Sequence, residues 1–138
     1  MKAWILLLVT VFSTSLSFAS EKPMSLEQGV ERLNYMRFHH NWEYCNYSFP
    51  FRFGSCRRFL EDAQAGADAI VLYGMNELLT VTDSEQQAAL VQVIAAATDI
   101  RMILVRGGNA HDLVNRIYPK AKATWKIGYD YIRDYHHE

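Results

Sequence analysis

Cysteine occurs twice in the 138 residues, proline three times and glycine seven times, and neither sign of charge is in surplus. So little glycine and proline excludes a collagen-like or low-complexity chain. Half the residues are apolar and 21% are charged, which excludes a disordered acidic or basic tail. Fourteen basic against fifteen acidic side chains lack the surplus of a protein built to grip nucleic acid. Catalytic signatures are also missing. The chain contains no Gly-x-Ser-x-Gly elbow for a serine nucleophile, and Gly107-Gly108 has no Lys-Ser/Thr behind it to make a phosphate loop. The five histidines include two adjacent pairs, His39-His40 and His136-His137, but no pair one helical turn apart. Adjacent helical side chains point about 100° apart, so no metal or other cofactor is expected.

The sequence begins with a short basic start, Met1-Lys2, and an apolar run from Ala3 to Phe12. A small polar stretch follows, with Ser17 and Ala19 in small-x-small register. This is the layout of a secretory signal peptide. The run is about half the roughly 20 residues a spanning helix requires. Residues 1–19 are therefore read as a cleaved signal and residues 20–138 as one exported domain, periplasmic or secreted. With no second long uncharged apolar run apparent, no stable membrane insertion is expected after cleavage.

In an oxidising compartment the two cysteines, Cys45 and Cys56, are expected to pair. A redox pair needs C-x-x-C, and a zinc site needs two further ligands at recognisable spacing. By chain entropy the short loop contributes roughly 3 kcal/mol.

Helical periodicity dominates the rest. Ser25 to Gln28 reads as a capping box ahead of Leu26, Val30, Leu33 and Met36, a helix to about Asn41. Pro50 and Gly54 break the pattern between Asn41 and Cys56, predicting a disulfide-closed loop with an extended piece around Phe49 to Phe53. A second helix is expected from about Arg57 to Leu79, with Phe59, Leu60, Ala63, Ala67, Ile70, Val71, Gly74 and Leu78 inward. Its small residues allow a close helix approach. Thr82 to Glu85 reads as another capping box, opening a third helix so apolar that it is expected at the centre. Ile100 to Val105 fits either its continuation or a short strand. Asn109 is placed to cap a fourth helix, which Pro119 kinks or restarts. The expected fold is all-α, a small four- to five-helix bundle with one disulfide-closed aromatic loop.

Aromatics are concentrated in one stretch. Nine of the eighteen lie between Tyr35 and Phe59. Phe49, Phe51 and Phe53 alternate and are expected to pack inward. Trp42, Tyr44, Tyr47 and Arg52 are expected to face outward, being residue types that dominate binding hot spots. Asn46-Tyr47-Ser48 matches a glycosylation sequon, relevant in a eukaryotic source. Glu77 falls on the apolar stripe of the second helix and is expected to reach out to solvent from near its end. His39-His40 is expected to complement the dipole at the end of the first helix, and His136-His137 to lie at a frayed terminus.

In size, export signal, helical content and single disulfide the chain resembles small exported helical binding proteins. Among these are periplasmic immunity proteins of bacteria that neutralise a cell-wall-attacking toxin. The resemblance is one of architecture and transfers no residues. It implies a non-catalytic inhibitor or immunity protein that engages a protein partner through the aromatic loop. The alternative is a small secreted hydrolase using paired carboxylates.

Overall fold

The computed structural model describes residues 24–39 and 53–136. Four helices form among them: α1 (Leu26–His39), α2 (Phe53–Leu78), α3 (Ser84–Arg106) and α4 (Ala110–Tyr135), with no strand among the described residues. The starts of α1, α3 and α4 have local causes. The amide of Ser25 donates to Gln28 Oε1 at 3.0 Å while Gln28 N–H donates to Ser25 Oγ at 3.1 Å, the reciprocal box expected ahead of α1. Asn109 caps α4, its side chain accepting from the His111 amide at 2.9 Å.

The structure shifts or decides the sequence reading at four places. The cap of α3 is Asp83, accepting from Gln86 N–H at 2.8 Å, one residue beyond the expected Thr82. The Gln86 side chain, at the third position of the helix, bonds to Tyr131 instead of reaching back to the cap. The stretch from Ile100 to Val105 is helical, the last turns of α3, so the strand option falls away. Pro119 does not divide α4. The helix runs through it, and the Asn115 carbonyl left without a donor lies on the exposed side. Helix α2 begins at Phe53 rather than Arg57, so the end of the expected extended piece is helical.

The core is built from one stripe of each helix. Leu33, Phe59, Ile70, Leu90, Ile100, Ile117 and Val114 are its largest fully enclosed side chains, and Phe59 stacks on Tyr118. Small residues set the spacing of α1 and α2. A Cβ on Gly29 would come within 2.9 Å of Ala69 Cβ, and one on Gly66 within 3.0 Å of the Gly29 carbonyl oxygen. The two backbones therefore cross in direct contact, and Arg32 clamps the same pair by donating to Asp62 at 2.7 Å.

Helices α2 and α4 each pack on the other three, whereas α3 packs on α2 and α4. The expected central position of α3 is thus corrected: its apolar residues outnumber the positions its two neighbours can cover. By length and composition α3 is also long and apolar enough to cross a membrane, with 28% of its most apolar window buried. The charge-free part of that stretch is bounded by Glu85 and Asp99, so the expectation of no second long uncharged run stands beside it. The interruption at Thr98-Asp99 is too brief to lower the average, and the Thr98 hydroxyl bonds back to the Ile94 carbonyl at 2.8 Å.

Candidate functional site

At one end of the bundle, where α1 and α3 begin and α2 and α4 end, polar side chains from all four helices meet. Glu77 lies in the last turn of α2. Tyr131 of α4 donates its phenolic hydrogen to Glu77 Oε2 and accepts from Gln86 Nε2 of α3 at 3.0 Å. His136 caps α4, its amide donating to the Ile132 carbonyl at 2.8 Å. Its ring fits between two acids, Nε2 lying 2.8 Å from Glu77 Oε1 and Nδ1 2.9 Å from Glu27 Oε1 of α1. The Tyr131 ring stands edge-on to the imidazole at 5.5 Å.

The His136 and Glu77 side chains are 20% and 24% exposed, and both border an open recess of about 480 Å³. Met24, Leu26, Tyr73 and Asn76 complete much of its wall. Two sequence expectations are overturned here. Glu77 turns inward instead of reaching into solvent, because Tyr131 and His136 satisfy its oxygens. His136 is anchored across two helices rather than frayed.

Burial sets the protonation of Tyr131, and its hydrogen bond to Glu77 adds to it, so the phenol is pushed up to about 12. For His136 burial acts in the opposite direction to its hydrogen bonds. Desolvation disfavours the cation, but the bonds to Glu77 and Glu27, with their charges, outweigh it and raise the imidazole above its ordinary 6.5. The two carboxylates approach opposite edges of the ring and do not converge on one point. Among the described residues no three His, Cys, Asp or Glu side chains are grouped to hold a metal.

A second feature is apolar. Leu72 and Met75 on α2, with Leu79 just past its end, recur at three and four residues, and Val91, Met102 and Val105 lie along the exposed side of α3. All six are between 47% and 84% exposed. Exposed Ala88 and Ala95 fill the intervals on α3. The pattern places both stripes beside the α2–α3 seam on its solvent side, where Asp68 and Arg101 pair across it at 2.9 Å. Single exposed apolar residues are ordinary, but six of them on the solvent side of two packed helices offer an interaction surface.

Of the residues singled out by sequence, Trp42, Tyr44, Cys45, Tyr47 and Arg52 lie outside the described residues, as do Phe49, Phe51, His40 and His137. Cys56 is buried near the start of α2. Tyr131 is an inward residue of α4 that joins Glu77 and Gln86. Its signal was the three-residue step from the inward Gly128. Glu27 carries no signal in sequence, since its partner lies 109 residues away. Comparison of the chain with protein-family models, curated proteins and solved structures gives no match.

Proposed function

We propose that this is an exported, non-catalytic binding protein of inhibitor or immunity type that engages a protein partner. The observation that carries the reading is the apolar ridge along α2 and α3. Half the residues are apolar, and among the described residues the four helices leave Leu72, Met75, Leu79, Val91, Met102 and Val105 exposed. A protein presenting an apolar helix face of similar length fits such a ridge, with the Asp68–Arg101 pair as a polar element to fix register. The segment carrying Trp42, Tyr44, Tyr47 and Arg52 forms a second contact in this proposal, stiffened by a Cys45–Cys56 disulfide. Residues 1–19 are the cleaved signal that delivers the domain, residues 20–138, to the periplasm or the medium.

Among the described residues, the recess offers the hydrolase alternative the acids Glu27 and Glu77. Acid–base hydrolysis needs the space between its two carboxyl groups for substrate and water. Here the His136 imidazole fills that space and bonds to both. This arrangement favours a structural role for the acids.

The test is site-directed photocrosslinking in a native extract, with the probe at Val91, at Tyr47, or at exposed Lys122 of α4. The reading expects one adduct of the same mass from Val91 and Tyr47 and none from Lys122. Adducts from Lys122 alone, or from no position, contradict it.

A further inference from the structure

We propose that His136 is a pH-operated latch: as an imidazolium it ties the end of α4 to α1 and α2, and on losing a proton to solvent it releases that end and opens the recess. The proposal is independent of the partner-binding reading, and it follows from counting donors and acceptors. An ionised carboxylate only accepts, and both ring nitrogens face carboxylate oxygens, Nδ1 at 2.9 Å from Glu27 and Nε2 at 2.8 Å from Glu77. Both nitrogens must therefore donate, which only the doubly protonated ring can do. A neutral imidazole has one N–H, so one carboxylate then faces a nitrogen lone pair and that bond becomes repulsive. Glu77 is held in place independently, because Tyr131 donates to its other oxygen. The bond to Glu27, whose side chain is 58% exposed, is the one free to open.

The charges around the ring act in the same direction. Glu27 faces it from α1 and Glu77 from α2. On α3 the nearest polar partner of the cluster is the neutral Gln86, while Asp83 and Glu85 place negative charge near the adjacent Tyr135. From α4 itself come Tyr131, against the ring edge, and Asp134, whose charge acts on Tyr135. A cation at a helix C-terminus is further favoured by the helix dipole, and His136 is the C-cap of α4. A single proton therefore decides whether three helix ends are joined, and the recess beside them changes shape with it.

The experiment is a pH titration of the full-length exported protein, following the His136 ring by NMR and, in parallel, amide exchange of residues 132–136 corrected for intrinsic rate. The expected result is a ring midpoint above 6.5, lowered in Glu27→Gln, with loss of protection at 132–136 tracking the same midpoint. Residues 113–124 should stay protected throughout. In His136→Gln the exchange of 132–136 should lose its pH step. Glu27 is a surface residue, so Glu27→Gln remains folded even if Glu77→Gln does not. A midpoint at or below 6.5 overturns the latch. So does a midpoint unmoved by Glu27→Gln, or a C-terminal turn equally protected on both sides of the midpoint.

Discussion

Tyr131 and Glu77, 54 residues apart, are joined by a hydrogen bond that ties the last turn of α2 to α4, and Gln86 of α3 donates to the same hydroxyl. Tyr131 is 2% exposed, so few waters can reach it to replace either partner. Tyr131→Phe removes the donor to Glu77 and leaves Gln86 without an acceptor. The expected loss is about 1–3 kcal/mol in urea unfolding, with the helical signal unchanged. A loss near zero would mean that the end of the bundle is held by packing alone.

The same phenol makes a prediction at alkaline pH. Burial first, and then the bond to Glu77, push Tyr131 up to about 12. Its folded value is above its unfolded one, so its contribution to stability is complete below pH 10 and is lost as pH rises toward 12. His136 obeys the same sign at a lower window, its contribution complete below about 6.5 and lost as pH rises through its raised folded value. The melting temperature of wild type should therefore fall across that window more than that of His136→Gln. Parallel curves would remove the imidazolium from the account.

Close approach of α1 and α2 makes Gly66 intolerant of the smallest side chain. Alanine gains up to about 1 kcal/mol of helix propensity over glycine. At Gly66 it also places a Cβ 2.8 Å from Leu33 Cδ2 and 3.0 Å from a backbone carbonyl that has no room to retreat. Overpacking of this kind costs about 1–3 kcal/mol, so Gly66→Ala should lower the melting temperature despite the propensity gain. A raised melting temperature would show that the helices separate easily.

Much of this architecture was readable from the chain because it depends on local signals. The Ser25 box, the Asn109 cap and the stripes through Val30, Leu33, Phe59 and Ile70 are set by residues three or four apart. What was not readable depends on residues distant in sequence. Nothing near His136 distinguishes a frayed end from a ring held by Glu27 and Glu77. The placement of α3 failed for a related reason. Apolar content measures how much a helix is able to bury, while the number of neighbours determines how much it does bury. With α2 and α4 as its partners, the surplus became the exposed ridge. That ridge, rather than the aromatic segment legible in the sequence, is the described surface on which the functional reading stands.

Adjacent residues on α3 should behave as opposites. Leu90 is fully buried and Val91 is 49% exposed. Leu90→Asp places an unpaired charge in the core, costs several kcal/mol and should leave the protein unfolded at room temperature. Val91→Asp should melt close to wild type. Similar melting for both would mean that α3 is not held in the orientation described.

The most direct measurement of the central claim is the calorimetric affinity of the partner identified by crosslinking for the doubly substituted Val91→Asp, Met102→Asp protein. Circular dichroism establishes that it is folded. If the ridge is the contact surface, affinity should fall at least about tenfold, the equivalent of roughly 1.4 kcal/mol, while the fold is retained. An affinity equal to that of wild type in a folded protein would contradict the account.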